Sequence, residues 1–147
     1  MDGVLVLDLP IEEAEPLREI AGAEGIDSIF LLSPTTTDAR IRRAATLGRG
    51  FLYGISRLGV TGARDTVADG AEALVARIRA VTQLPIAVGF GISRPEHVAQ
   101  VGRWADAAVV GSALVEIVAR TGTGELGPAV ERYVRGLRGT GPDPTGA

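Results

Sequence analysis

Residues 86–115 read IAVGFGISRPEHVAQVGRWADAAVVGSALV, a stretch that contains two glycine turns of the same kind. The turns, at 89–91 and 111–112, each follow a short apolar run and precede a segment with helical periodicity. A turn between a parallel strand and the next helix presents free backbone N–H groups and the positive end of the helix dipole, which together suit a phosphate. The two turns therefore predict a site for an anion, above all phosphate, with packing of each strand–helix junction as the alternative reason for glycine, and Ser112 is the expected N-cap of its helix.

Short apolar runs alternate with helical patterns along the whole chain. The runs are residues 4–7, 28–32, 51–55, 85–88 and 107–110, and they are apolar throughout rather than alternating with polar residues. Helical patterns follow, at 12–21, 71–81, 95–101, 112–119 and 127–137, and a further helix begins near Thr37 or Asp38. This order predicts an α/β fold in which parallel strands are buried on both faces by helices.

Two architectures accommodate this order of elements, an open doubly wound sheet and part of a (β/α)₈ TIM barrel. The repeated glycine turn favours the barrel, because the loops after its last two strands jointly form a common phosphate site. Five strands are too few to close an eight-stranded barrel, which takes about 250 residues. We therefore predict a partial barrel of about five βα units over residues 1–138, followed by a flexible Gly/Pro-rich tail at 139–147.

Composition narrows the classes of partner. The 147 residues are 46% hydrophobic and 22% charged, which is typical of a globular protein, and the net charge of −3 argues against nucleic acid or an anionic membrane surface. With no cysteine and the single His97, neither a metal site nor a cofactor is predicted. His97 is expected to be a surface or partly packed residue. No signal peptide or membrane span is indicated, so a cytoplasmic protein is expected.

Five stretches of the chain carry a family resemblance. They read DGVLVLDLPIEEAEPLR (2–18), IFLLSPTT (29–36), GFLYGISRLGVTGAR (50–64), PIAVGFGIS (85–93) and VVGSALV (109–115). In this order they resemble the α subunit of tryptophan synthase, from the first residues to about residue 120. The segment RLGVTG is specific to that family, whereas GFGIS and VVGSALV are shared more loosely with other phosphate-binding barrels.

The resemblance implies a (β/α)₈ barrel that cleaves indole-3-glycerol phosphate into indole and glyceraldehyde 3-phosphate by a retro-aldol reaction, as a lyase of tryptophan biosynthesis. Such a subunit passes indole to a pyridoxal-phosphate β subunit. The resemblance implies phosphate binding by Gly62, Gly91, Gly111 and Ser112, and a closing lid that includes Arg57 and Thr61. It implies an indole pocket lined by Leu5, Leu31, Tyr53, Phe90 and Val109. Asp8 and Pro10 would lie on the face toward the β subunit.

One departure limits what the resemblance implies. The chain resembles the family from about its fourth strand onward, and no residue matches the aspartate that binds the indole nitrogen or the glutamate that acts as acid and base. We therefore expect weak or no activity from the chain alone, with Tyr53, Thr61 and Arg57 in supporting roles. Two alternatives remain open: a non-catalytic part-barrel that binds phosphate ligands or a β-type subunit, and another phosphate-sugar-handling TIM barrel. The apolar edge strands also predict self-association.

Overall fold

A computed structural model of the chain describes residues 1–55, 69–89, 91–122 and 124–139. Within these ranges five strands alternate with six α-helices, and a short 3₁₀ helix, Ile11–Glu13, precedes the first of them. The strands are β1 Gly3–Leu5, β2 Asp27–Leu32, β3 Leu52–Ile55, β4 Ile86–Gly89 and β5 Ala107–Val109. The helices are α1 Glu15–Ala23, α2 Asp38–Leu47, α3 Asp69–Arg79, α4 Pro95–Val101, α5 Ser112–Arg120 and α6 Leu126–Leu137. Of the predicted tail, only Gly139 lies in the described part of the chain.

The five strands form one parallel sheet in the order β1-β2-β3-β4-β5. A doubly wound sheet reverses its strand order at a switch point, and this sheet has no such reversal. Consecutive parallel strands, each followed by a helix, are the arrangement of a (β/α) barrel. The partial-barrel prediction is therefore confirmed over the doubly wound alternative.

The helices cover one face of the sheet. A single buried cluster joins Leu32, Leu52 and Val88 of the strands to helix residues such as Ile41 and Ile78. The alternate strand residues point to the opposite face, where most of them are only half-buried. The expectation of strands buried on both faces thus holds for β4, whose four residues are all buried, and is wrong for the other strands. In a barrel, one face of each strand meets the helices and the other meets the barrel interior, which fills only when the ring of strands closes.

Both edge strands are shorter than predicted. β1 ends at Leu5, where its register with β2 ends, and Val6 and Leu7 beyond it are 43% and 71% exposed. β5 ends at Val109 rather than at residue 110. An edge strand has a partner on one side only, so its ends are held by fewer hydrogen bonds than those of a central strand.

Of the two helix caps expected from the sequence, one is confirmed. Thr37 caps α2, since its hydroxyl accepts a hydrogen bond from the Arg40 N–H at 3.4 Å. At α5 the N-cap is Gly111, and Ser112 is the first residue of the helix, so the expectation that Ser112 would cap it is wrong. No helix in the described ranges is long and apolar enough to cross a membrane.

Candidate functional site

The two glycine turns lie side by side at one edge of the sheet. β4 and β5 are neighbours in parallel register, with Gly89 opposite Val109, so their carboxyl ends point the same way. Gly91 follows β4 with φ of +75°, a left-handed conformation that favours glycine. Gly111 follows β5 as the N-cap of α5. The structure thus brings together the two turns that the sequence assigned to phosphate.

The start of α5 is open. Gly111, with φ of −116°, has no side chain that could cap the helix, and both Gly111 and Ser112 are exposed. A β-carbon at Gly111 would have no heavy atom within 4 Å. Packing therefore does not require glycine at this position.

Four of the five residues assigned to the indole pocket share the sheet face that the helices leave uncovered. Leu31 pairs with Tyr53 across β2 and β3, Leu5 pairs with Ile29, two residues before Leu31, and Gly89 pairs with Val109. Because side chains alternate along a strand and paired residues face the same way, Leu5, Leu31, Tyr53 and Val109 lie on one face. Together they make a largely apolar, partly exposed wall.

Tyr53 and Gly89 join this wall to the two glycine turns. A β-carbon at Gly89 would collide with the Tyr53 hydroxyl, and it would lie 2.7 Å from Tyr53 Cζ and 3.2 Å from Val109 Cβ. The phenol therefore lies over the strand end that leads into the Gly91 turn. Burial raises the pKa of Tyr53 above its ordinary value of 10.0, so the hydroxyl is neutral at physiological pH. The spacing of glycines in the sequence did not reveal that Gly89 makes room for a tyrosine.

A cavity of about 260 Å³ lies beyond the ends of β1 and β2, and it shares Leu31 with the apolar wall. Its wall includes Asp8 and Pro10, the two residues assigned to the β-subunit face. At its margin Arg40 forms an ion pair with Glu12, with Nε 2.9 Å from Oε1. A backbone hydrogen bond, with help from Arg40, holds the pKa of the Glu12 carboxyl below its ordinary value. The cavity is lined by residues 6–11 and by Phe30, Leu31, Leu32, Thr36 and Arg40.

His97 departs from its expected exposure. It is 7% exposed in the first turn of α4, and its Nδ1 lies 3.4 Å from the Ser93 backbone nitrogen, which donates to it. Its Nε2 lies 3.0 Å from an Arg94 guanidinium nitrogen. Its position shortly after a glycine turn is the one sequence signal that points to a role in ordering that turn. The prediction of a surface or partly packed histidine is wrong because α4 folds it back onto the turn.

Four residues named by the sequence lie outside the described part of the chain: Arg57, Thr61, Gly62 and Phe90. Their roles in a closing lid, in phosphate binding and in the indole pocket stay predictions.

Comparisons with known proteins agree with this geometry. The family profile described as "Tryptophan synthase alpha chain" matches residues 1–135. The tryptophan synthase alpha chain of Geobacter sulfurreducens is 48% identical over 138 residues, which are 94% of this chain and 52% of the relative. That of Chloroflexus aurantiacus is 46% identical over 136 residues, or 92% of this chain and 51% of the relative.

Solved structures give the same result. A structure described for the mutual activation of the tryptophan synthase α2β2 complex of Pyrococcus furiosus superposes with a TM-score of 0.86 at 39% identity. The match covers 95% of this chain and 56% of that one. This chain spans about half the length of the curated relatives it matches. By sequence and by fold, it belongs to the tryptophan synthase alpha chain family.

Proposed function

We propose that this chain supplies the phosphate-binding turns and one wall of the indole pocket of a site for indole-3-glycerol phosphate. The contact between Tyr53 and Gly89 carries the proposal, because it joins an apolar, aromatic-bearing wall directly to the Gly91 turn. A ligand with a flat apolar ring at one end and a phosphate at the other matches that juxtaposition. The backbone N–H groups at Gly91, Gly111 and Ser112 would hold the phosphate, and Leu31, Tyr53 and Val109 would contact the ring.

The reaction is a retro-aldol cleavage to indole and glyceraldehyde 3-phosphate. The bond between the indole ring and the side chain breaks, the ring carbon gains a proton, and the neighbouring hydroxyl loses its proton as it becomes the aldehyde. Because indole-3-glycerol phosphate carries hydroxyl groups but no carbonyl group, this cleavage proceeds by proton transfer between acids and bases rather than through a Schiff base.

The chain alone is expected to bind indole-3-glycerol phosphate but to cleave it slowly or not at all. The family's two catalytic carboxylates have no matching positions here, and loss of a general acid or base lowers a rate by about 10²–10⁴-fold. Among the described residues, Asp8 is the acid nearest to the carboxyl end of a strand, and it is exposed at the cavity beyond β1 and β2. We assign Asp8 and Pro10 to the surface that faces a β-type subunit, as the α2β2 assembly of the Pyrococcus furiosus protein suggests.

A second copy of the chain is proposed to pair with the open edges of the sheet. β1 and β5 are the edge strands of the described sheet, and exposed apolar residues lie on the helix that follows each of them: Ile20 on α1, and Val115 and Val118 on α5. Burial of such residues favours association.

Charge decides which edges meet. Residues 1–24 carry seven carboxylates and one arginine, whereas residues 126–138 carry three arginines and one glutamate. Pairing β1 with β1 of another copy would bring two acidic segments together. Pairing β1 with β5 places the acidic segment near α6, which packs against α5, so we propose the head-to-tail arrangement.

The phosphate assignment is tested with glycerol 3-phosphate as the probe and glycerol as its uncharged control. Only glycerol 3-phosphate should raise the melting temperature of the chain. Gly111→Ala should abolish this effect without loss of stability, since the new methyl group would contact only the ligand. Gly127→Ala, in the first turn of α6 and equally unobstructed, is the matched control and should keep the effect.

Three results would count against the proposal. Equal stabilisation by glycerol would show that the chain has no site for the phosphate group. Full binding by Gly111→Ala would show that the turn after β5 does not belong to that site. Release of indole from indole-3-glycerol phosphate at the rate of a full-length alpha chain would contradict the expected weak activity.

A further inference from the structure

Ser93 is held at both of its main-chain polar atoms. It lies two residues after Gly91, where the chain leaves the phosphate turn for α4. The Tyr133 hydroxyl donates a hydrogen bond to the Ser93 carbonyl oxygen at 2.9 Å, and the Ser93 N–H donates to His97 Nδ1 at 3.4 Å. Tyr133 belongs to α6, so this contact joins the turn after β4 to the last helix in the described part of the chain.

Tyr133 is a fixed group. It is 7% exposed, and Gly136 and Leu137 of the same face of α6 are buried as well. A buried hydroxyl without a partner is costly, so the bond to Ser93 is retained in the folded state. Burial raises the pKa of Tyr133, which keeps the phenol protonated and able to donate at neutral pH.

His97 is the weaker of the two supports. A neutral imidazole accepts a hydrogen bond at only one nitrogen. The Ser93 N–H approaches Nδ1 of His97 as a donor, and the Arg94 guanidinium approaches Nε2 as a donor. A neutral His97 therefore accepts a hydrogen bond from only one of them at a time. The phenol of Tyr133 has no such competition, since a carbonyl oxygen is an acceptor under all conditions.

The turn itself needs an external support. Gly91 has φ of +75°, and glycine is the residue with the most conformational freedom. Ile92, which follows it, is fully buried and anchors one side chain of the turn in the core. The orientation of the peptide groups that would meet a phosphate therefore depends on the hydrogen bonds made just beyond Ile92, at Ser93.

We infer that Tyr133 is a positioning residue of the phosphate site, which acts through the Ser93 carbonyl to hold the Gly91 turn in its ligand-binding conformation. This inference rests on the proposed phosphate site. It predicts that the affinity of that site for a phosphomonoester depends on α6. Loss of a single neutral hydrogen bond corresponds to a weakening of about 3- to 10-fold in ligand affinity, if the full effect is felt at the turn.

The test compares the affinities for glycerol 3-phosphate and for indole by titration calorimetry. Tyr133→Phe keeps the ring in the core and removes the hydroxyl, so it should weaken glycerol 3-phosphate binding by about 3- to 10-fold and leave indole binding unchanged. Val134→Ala, at the neighbouring position on α6, shortens a side chain that is 38% exposed without removing a hydrogen bond, and it is expected to alter neither affinity. A general loss of structure would lower both affinities together, so the split between the two ligands reports positioning.

Ligand binding to the unmodified chain, followed at its tyrosine rings, tests the same inference by a second route. The sequence has two tyrosines, so ¹³C-labelled tyrosine gives two ring signals, which Tyr53→Phe assigns. Glycerol 3-phosphate should shift both signals, including that of Tyr133, which lies behind the turn. Unchanged affinity in Tyr133→Phe, or a Tyr133 signal that stays still at saturation, would overturn the inference while the phosphate site stands. Absence of glycerol 3-phosphate binding to the unmodified chain would overturn the site and the inference together.

Discussion

The Tyr53 hydroxyl occupies the space where any residue other than glycine at position 89 would place its β-carbon. The two residues lie on neighbouring strands, with Tyr53 opposite Ala87 and Gly89 two residues further along β4. The phenol therefore leans along the sheet toward the carboxyl ends of the strands. In this way Gly89 sets how closely the apolar wall approaches the Gly91 turn.

Gly89→Ala should destabilise the chain and displace Tyr53. The new methyl group would meet the phenol and would lie 3.2 Å from Val109 Cβ, and overpacking of this kind costs about 1–3 kcal/mol in the free energy of unfolding. Urea denaturation measures the change. Gly22→Ala is the control, because it adds a methyl group in open space on α1 and should stabilise the helix by about 0.5–1 kcal/mol. A Gly89→Ala chain as stable as the parent would show that the phenol is not held over this strand end.

Asp106 should make the stability of the sheet depend on acid pH. Its Oδ2 accepts from Arg79 Nη2 at 2.5 Å and from the Ile86 N–H at 2.8 Å, which ties the start of β5 to the start of β4. The hydrogen bond from Arg79, followed by that from Ile86, lowers the pKa of Asp106 from its ordinary 3.8. A carboxyl with a lowered folded-state pKa adds stability above the unfolded pKa and loses it as the pH falls through the folded value.

Asp106→Asn should therefore cost about 0.5–1.5 kcal/mol near neutral pH, a modest amount because the carboxylate is nearly half exposed. The difference from the parent should shrink as the pH falls below about 3.8. Urea midpoints measured from neutral pH down to about pH 2 give both curves. Glu131→Gln, which loses only an exposed i,i+4 pair with Arg135, should cost about 0.3–0.5 kcal/mol. A constant difference between Asp106→Asn and the parent across this range would be evidence against the linkage.

The features that sequence patterns predicted are local ones. The apolar runs, the Thr37 cap and the two glycine turns each depend on residues that are close in the chain, and each was found. The features that were missed depend on distant contacts. Tyr53 meets Gly89, and Tyr133 meets Ser93, across 36 and 40 positions, and no periodicity encodes such pairs. The lengths of the two edge strands were overestimated for a related reason, since the length of a strand depends on its pairing partners as well as on its apolar residues.

Ser28→Ala should leave the chain as stable as the parent or more so. Ser28 is buried on β2, and its Oγ has no hydrogen-bond partner among the described residues. Removal of a buried, unpaired hydroxyl eliminates its desolvation cost, so the free energy of unfolding should rise by up to about 1 kcal/mol. Ser33→Ala is the contrasting control, because its hydroxyl lies 2.9 Å from Thr35 Oγ1 and its loss should not stabilise. Clear destabilisation by Ser28→Ala would reveal a partner for this hydroxyl.

Self-association should depend on the apolar face of α5. At tens of micromolar the parent chain should sediment as a dimer, because the exposed apolar residues beside both edges of the sheet become buried in a head-to-tail pair. Val118→Asp places a charge on that face and should give a monomer. Val81→Asp is the matched control, because Val81 and Val118 are similarly exposed, at 40% and 48%. Val81 differs in that it follows α3, a central helix, and so lies away from the edge strands.

Salt distinguishes the two possible pairings. In the head-to-tail pair the acidic segment of residues 1–24 lies near the arginines of α6, so added salt should weaken the dimer by screening an attraction. A pair formed through two β1 strands would bring the acidic segments together, and salt would strengthen it. A monomeric parent chain at this concentration would refute the association itself, and a dimer that Val81→Asp disrupts as strongly as Val118→Asp would place the interface away from the sheet edges.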